Sequence, residues 1–338
     1  MSSVLIIGGG ITGLEAAQSL SRVGIEVVLV ERGDKLGGNL KALGSTFPEG
    51  REASELIASR INVIKDSPRV SVFTETEVSS LSGAFPRFKA TLKTPAGSKE
   101  VEGRGIIVAT GFLPFNPVDM KHYGFGKHPD VITALELAGK IRDKKIVTNS
   151  GDKEPASVSF IQCIGSRDQR THTYCSAFCC MYAVHMARLV KEQLPNCRVT
   201  ILYMDLRTPF CTELSYEEAR RSGVAFIRSK PARVKTGAGN GNLVIQYEDT
   251  LDGALRFLDA EMVVLSIGAE PPYETEKLAD SLKIDRGESG FFTCDREPVF
   301  TKAEGVFVAG AASGPKDITA CLAEGSAAAA QTALLLKG

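Results

Sequence analysis

The chain opens on four consecutive apolar residues, Val4-Leu5-Ile6-Ile7. Such a run predicts a strand buried on both faces. Gly8-Gly9-Gly10-Ile11-Thr12-Gly13 follows, and Leu14, Ala17 and Leu20 then recur at helical spacing. A second apolar run, Val27–Val30, ends at Glu31, which lies 23 residues after Gly8. Strand, G-x-G-x-x-G, helix, strand and acid is the arrangement that binds a dinucleotide. Gly8 makes the tight turn, Gly10 lets the backbone approach a pyrophosphate, and Gly13 lets helix and strand pack closely. The helix N-terminus offers N–H groups and partial positive charge to the phosphates, and Glu31 can accept from the ribose hydroxyls.

Later segments select FAD over NAD as the dinucleotide. Arg32-Gly33-Asp34-Lys35-Leu36-Gly37-Gly38-Asn39-Leu40 follows the acid directly. It resembles the Gly-Gly turn that runs beside the cofactor in flavoproteins with two dinucleotide domains. Ile106-Ile107-Val108-Ala109-Thr110-Gly111 resembles their strand and A-T-G motif. Gly305-Val306-Phe307-Val308-Ala309-Gly310 resembles their second flavin segment, delivering the chain to a helix that starts near Asp317. The positive end of that helix favours negative charge on a reduced flavin. Many relatives carry Asp after the last glycine of this segment, and here the residue is Ala311. Arg69–Phe73 reads as a further strand ended by Glu77-Val78; in similar flavoproteins the backbone at this point pairs with adenine, and that resemblance makes Val78 the candidate. Phe88–Thr94 and Lys99–Val108 read as a meander around a Pro95-Ala96-Gly97 turn.

The expected fold is therefore α/β: a disulfide-reductase-like flavoprotein with two Rossmann domains, the second inserted in the first. The FAD domain takes residues 1–115 and 291–338, and 116–290 form the inserted region. That region should open on a second G-x-G-x-x-G. The strand is there, Val158–Gln162, but its turn reads Cys163-Ile164-Gly165-Ser166-Arg167, with a single glycine. The next strand, Val199–Met204, ends in Asp205, 42 residues after Cys163. The added length holds Cys175, Cys179 and Cys180. An iron–sulfur cluster, structural zinc, a vicinal dithiol and plain core packing all fit the spacing of these four cysteines. Zinc fits less well, because its knuckles usually come as two close cysteine pairs.

Composition narrows the setting. The chain has 338 residues, 40 Lys plus Arg and 40 Asp plus Glu. Zero net charge argues against nucleic acid or an anionic membrane as partner. No apolar run reaches the length of a transmembrane segment, and the N-terminus lacks the basic and apolar regions of a signal peptide. The expected compartment is the cytoplasm, where thiols stay reduced. Cys197, Cys211, Cys294 and Cys321 are isolated and read as buried small residues. Lys140–Lys145 and Arg220-Arg221 read as solvated helix surface. Arg167 suits either an anionic cofactor or an ion pair. The alanine-rich helix Asp317–Leu336 suits close packing and a homodimer contact.

The cysteine segment carries a family resemblance. Gln162-Cys163-Ile164-Gly165-Ser166-Arg167 with Tyr174-Cys175-Ser176-Ala177-Phe178-Cys179-Cys180-Met181-Tyr182-Ala183 resembles the flavoprotein (HdrA) family of heterodisulfide reductases. Ala312-Ser313-Gly314-Pro315-Lys316-Asp317-Ile318 resembles another segment of that family. The resemblance implies FAD, contacted also by Lys316, Asp317 and Ile318, and a [4Fe–4S] cluster on Cys163, Cys175, Cys179 and Cys180. It implies partners similar to the B and C subunits of those reductases, together with electron carriers. The C-x2-C-x2-C-x3-C modules of longer members do not occur in this sequence. It is similar to the short form found in heterodisulfide-reductase-like complexes of sulfur metabolism; the quinone-interacting oxidoreductase of sulfate reducers has a similar component.

Three functions compete: an electron-transfer subunit working through FAD and cluster, a free-standing NAD(P)H-dependent disulfide reductase using Cys179 and Cys180, and a FAD-bearing scaffold with structural zinc. The single glycine at Gly165 counts against the second. Electron-bifurcating family members have Lys five residues after the double cysteine, where this chain has His185. Lys there would stay charged beside the flavin, whereas His loses its charge near neutral pH. His185 is thus the candidate flavin-tuning residue, and bifurcation is expected to be absent or altered. Replacing His185 by Lys should shift the flavin potential in a spectroelectrochemical titration; an unchanged potential removes the tuning role.

Overall fold

The computed structural model describes residues 3–47, 50–208, 213–237, 242–295 and 297–337. Two compact units result. One comprises Met1–Lys41, Glu52–Leu113 and Glu270–Gly338; the other comprises Ala42–Arg51 and Pro114–Ala269.

The first unit is built on a parallel sheet. Its strands lie in the order Val306–Val308, Gly105–Val108, Ser3–Ile7, Glu26–Val30, Val70–Phe73. The chain runs outward from Ser3–Ile7 to one edge, then restarts on the other side with Gly105–Val108. The order therefore reverses between Ser3–Ile7 and Gly105–Val108, which is where ligands bind in open α/β sheets. Val4, Ile6, Ile106 and Ile107 are fully buried there.

Helix Ile11–Arg22 follows the first strand, and helix Ile318–Lys337 packs against it. Ala328, Ala329 and Ala333 are buried, and Ser326 Oγ donates to Glu15 at 3.0 Å. Glu15 also accepts from Arg60 of helix Ala53–Lys65 at 2.6 Å. One half-buried carboxylate thus joins three helices.

Two local expectations differ from the structure. Glu77-Val78 begins a strand, Glu77–Ala84, which pairs antiparallel with Arg87–Thr94. Residues 99–108 divide at Arg104. Gly97–Gly103 completes this antiparallel sheet, while Gly105–Val108 enters the parallel one. The cause is visible in burial: the first stretch is largely exposed, and the second is buried throughout.

The second unit repeats the parallel plan, in the order Ala225–Arg228, Arg198–Tyr203, Ser157–Ile164, Met262–Ile267, Val131–Thr133. Ser157–Ile164 and Met262–Ile267 are buried along their whole length. The order reverses between them. Helix Cys179–Gln193 covers the sheet through Ala183, Val184, Ala187 and Val190. Helix Ala134–Arg142 starts on a capping box, in which Thr133 N–H donates to Glu136 at 2.6 Å. Satisfying these free N–H groups fixes the helix start. An antiparallel sheet of Arg233–Thr236, Leu243–Asp249 and Ala254–Ala260 completes the unit.

Two helical glycines separate close packing from mere permissiveness. A Cβ on Gly13 would overlap the Gly8 carbonyl oxygen, whereas one on Gly139 would meet only the tip of Arg142, at 3.9 Å. Gly13→Ala should therefore cost roughly 1–3 kcal/mol through overpacking. Gly139→Ala should be neutral or stabilise by up to about 1 kcal/mol through helix propensity. Thermal and urea unfolding of the two variants checks the contrast.

Candidate functional site

The glycine turn lies at the first unit's switch point. Helix Ile11–Arg22 has Gly10 as its N-cap and no side-chain cap, so its first N–H groups face outward without a local acceptor. The nearest atom to a Cβ built on Gly10 is Gly38 Cα, at 3.9 Å. Backbone is thus open to close approach by a ligand. The Glu31 carboxylate accepts from Gly9 N and Gly33 N, both at 2.7 Å, and so is fixed at the end of its strand. Gly37 N donates to the Gly9 carbonyl at 2.8 Å, laying the Gly37-Gly38 turn beside the fingerprint. Asn39 donates to the Phe112 carbonyl at 2.8 Å, next to Thr110 and Gly111. Leu40 is buried. Thr110 Oγ1 is buried without a partner among the described residues.

Other candidates stand farther out or are already engaged. Arg32 pairs with Glu274 at the surface, at 2.7 Å. Thr76 N donates to the Glu31 carbonyl at 3.0 Å, so Val78 starts its strand just beyond the acid. The Glu324 carboxylate accepts from Gly310 N at 2.8 Å and from Lys316 Nζ at 2.6 Å. The Lys316 charge is therefore matched within the protein. Asp317 accepts from Ala320 N at 2.7 Å and caps the helix that begins at Ile318.

The second unit's switch point is closed. A Cβ on Gly165 would overlap the Phe115 ring, so an aromatic side chain covers the one glycine of the incomplete fingerprint. His172 packs edge-on against that ring and bonds the Gly165 carbonyl at 2.9 Å. Ser176 Oγ, farther along the same lid, accepts from Ala269 N at 3.1 Å. This lid is the segment that carries the added cysteines.

Beneath it the strand Ser157–Ile164 bulges. Ile161 pairs with Leu265, and the next pair is Ile164 with Ile267. Cys163 sits in the bulge at φ +61°, a left-handed conformation that costs a non-glycine residue roughly 1–3 kcal/mol. Cys163, Cys179 and Cys180 are buried, and their thiols hydrogen-bond with one another. Cys179, in the middle, is pushed well above the ordinary thiol range by its hydrogen bonding with both neighbours, which favours its protonated form. The same bond pulls Cys163 down, and holds Cys180 at about 7. Cys175 is half-buried and accepts from Ala177 N at 3.3 Å. Among the described residues, no three or more His, Cys, Asp or Glu side chains are arranged to hold a metal ion. Cys163, Cys179 and Cys180 adjoin one another without forming such an arrangement, and Cys175 stands in the loop leading to them.

The surroundings suit an anionic group. Arg167 lies between the Asp205 carboxylate, with which it pairs, and the sulfurs of Cys163 and Cys175, which raise its pKa further. Gln162 Nε2 and Oε1, next to Cys163, and Ser166 Oγ are buried without partners among the described residues. Unpaired buried polar atoms of this kind cost free energy, and cluster where a ligand or water completes them.

His185 lies one turn beyond the double cysteine and is buried. Its Nε2 bonds Ser45 Oγ at 2.7 Å, and Phe47 flanks the ring. Of the isolated cysteines, Cys197 and Cys321 are buried, Cys294 is half-buried, and Cys211 lies outside the described residues. Sequence reasoning missed Phe115, Ser45 and Glu324. None stands in a motif, and Phe115 and Ser45 reach their partners from distant parts of the chain. Gln162 stands in a motif, but only its burial shows that its amide is left unpaired.

The fold is the one shared by flavoprotein oxidoreductases with two dinucleotide-domain sheets. A family model described as pyridine nucleotide-disulphide oxidoreductase matches residues 2–150. Thioredoxin reductase of Lactococcus lactis superposes with a TM-score of 0.69 at 19% identity, covering 100% of this chain and 99% of that one. More particularly, the chain is a relative of the HdrA proteins of heterodisulfide reductases. It is 32% identical to the first of two CoB–CoM heterodisulfide reductase iron-sulfur HdrA proteins of Methanopyrus kandleri, over 98% of this chain and 64% of that protein. It is 31% identical to the HdrA protein of the ferredoxin/F420H2-dependent CoB-CoM heterodisulfide reductase of Methanosarcina acetivorans, over 99% of this chain and 53% of that protein. The chain thus spans less than two thirds of the length of these relatives.

Burial, with repulsion from Arg188, holds the His185 pKa down at about 4, against 6.5 in the unfolded chain. A lowered histidine pKa means that the unfolded chain binds the proton more readily. The contribution of neutral His185 to stability is therefore whole above about pH 6.5. It is lost as the pH falls from there through about 4. Melting curves of the parent and His185→Gln should diverge in that window, with the variant showing the shallower loss. Parallel curves would show that another group sets the acid limb.

Proposed function

We propose that this chain is a FAD- and [4Fe–4S]-containing electron-transfer subunit of a heterodisulfide-reductase-like complex of sulfur metabolism. In this reading it works with partners similar to the B and C subunits and with electron carriers, as a homodimer. The observation that carries it is the contrast between the two switch points. One has an open glycine turn; the other has its glycine under Phe115 and a set of thiols where a second dinucleotide would enter.

The residues fit both groups. The open backbone at Gly10, the fixed Glu31 carboxylate and the orphaned Thr110 hydroxyl suit the pyrophosphate and sugar parts of FAD. In this reading Cys163, Cys179 and Cys180, with Cys175 in the loop that leads to them, would supply four thiolates. Gln162 and Ser166 offer polar atoms beside them, and Arg167 offsets their negative charge. When bound, FAD takes electrons in pairs and an iron–sulfur cluster passes them singly. The chain's own task is to hold both groups in dry, preorganised surroundings, with Cys163 presented by its bulge. The alternative of a free-standing NAD(P)H-dependent disulfide reductase is disfavoured by Phe115, which blocks approach to Gly165.

Anaerobic purification should yield about one flavin and about four irons per chain, with matching sulfide and an EPR signal on reduction. A Cys179→Ser, Cys180→Ser double variant should keep flavin and lose iron. Flavin without iron after reconstitution overturns the cluster, and rapid flavin reduction by NADPH without partners favours the alternative.

A further inference from the structure

In the first unit a distant segment is tied to the residue that follows the ribose acid. Arg32 comes directly after Glu31, and the chain on either side of it is fixed. Thr76 N donates to the Glu31 carbonyl at 3.0 Å, and Glu75 N donates to the Gly33 carbonyl at 2.9 Å. Arg32 therefore stands between two anchored peptide groups, close to the strand that opens at Glu77-Val78. Its Nη1 donates to Glu274 Oε1 at 2.7 Å, across 242 residues of chain. Glu274 is the N-cap of helix Thr275–Leu282, which packs against the strand Glu77–Ala84. An acidic side chain at an N-cap ordinarily accepts from the free N–H groups of its own helix. Glu274 makes no such bond and reaches Arg32 instead.

Stability does not account for this pair. Its side chains are 50% and 56% exposed, and an exposed ion pair contributes little, because water screens it and both long side chains lose rotamer freedom. A ligand accounts for it better. In the reading above Glu31 serves the sugar part of FAD, so the base on that sugar lies beyond the acid, where Arg32 and the strand at Val78 stand. A guanidinium is planar and stacks on aromatic rings, and it binds with less loss of freedom when its plane is fixed beforehand. Glu274 supplies that fixing. It also offsets the Arg32 charge, which leaves the guanidinium plane as the feature a neutral base would meet.

We propose that Glu274 is a positioning residue for the adenine end of FAD, holding the Arg32 guanidinium in place as a stacking surface for the adenine ring. The proposal rests on the FAD reading and deepens it. Tyr273, next to Glu274 and 87% exposed, is the competing stacking surface on the same segment.

Rebinding of FAD and of FMN to the full chain stripped of flavin, followed by flavin fluorescence, tests this, with ADP as a competitor of FAD. FMN lacks the adenosine part and so reports the rest of the site. Glu274→Gln should weaken FAD about two- to tenfold, the cost of immobilising one free side chain on binding. Arg32→Ala should weaken it about tenfold or more. FMN affinity should be unchanged in both, and ADP should lose potency by the same factors as FAD. Arg32→Lys keeps the charge but loses the plane, and should resemble Arg32→Ala. On the Arg32→Ala background Glu274→Gln should add nothing, because its effect passes through Arg32. Unchanged FAD binding in Glu274→Gln overturns the proposal. So does an equal loss of FMN, which marks a general structural effect, and so do additive losses in the double variant. Parent-like binding by Arg32→Lys makes the contact one of charge and also overturns it. Weakened FAD in Tyr273→Ala, with the Arg32 and Glu274 variants unaffected, would give the adenine to Tyr273 instead. A parent chain that binds neither flavin removes the FAD reading itself, whereas a parent that binds FAD beside unaffected variants removes only this proposal.

Discussion

A backbone can bring its N–H groups against a phosphate only where no side chain intervenes. Both parallel sheets of this protein turn on that constraint. Each has a place where its strand order reverses, and each sends a central strand into a turn at that place. In one unit Gly10 leaves the approach free, and Gly13 allows the helix to sit directly on the turn. In the other, Phe115 stands over Gly165, and the longer connection folds into a lid anchored by His172 and Ser176. The same architecture thus gives an open site and a closed one, and the difference lies in a few side chains above the strand ends.

Closing the second turn frees the strand end for other chemistry. The bulge at Cys163 and the helix beginning at Cys179 point three thiols at one another in surroundings that exclude water. Thiols this close share their protons unevenly, which is why Cys179 retains its proton while Cys163 and Cys180 give theirs up more easily. Arg167 adds positive charge at the rim and is itself steadied by Asp205. The left-handed backbone at Cys163 is disfavoured in isolation, and the two fully buried strands paired there hold it in place.

Much of this was legible in the order of residues. Four apolar residues before G-x-G-x-x-G give the first strand and turn, and the apolar runs ending at Glu31 and Gly310 give two more strands of that sheet. Local pattern was less able to divide residues 99–108, because Gly103 and Gly105 on either side of Arg104 permit either a continuous strand or a break. Burial decided it, by placing Ile106 and Ile107 in the core of the parallel sheet and leaving Lys99 and Glu100 outside it. Glu77-Val78 shows the same limit. A polar turn at Thr74–Thr76 reads alike whether a strand has just ended or is about to start.

The sequence alone determined the class of fold, the presence of one complete and one incomplete dinucleotide fingerprint, and the nearness in the chain of Cys175, Cys179 and Cys180 to a helix start. These depend on short-range spacing, which a chain carries in its order of residues. Tertiary structure alone decided what stands above each glycine, which thiols touch, and that Lys316 meets Glu324. It also brought Glu274 to Arg32. Most of those outcomes depend on residues far apart in the chain, and only the packing of connections within each unit brings them within a few ångströms.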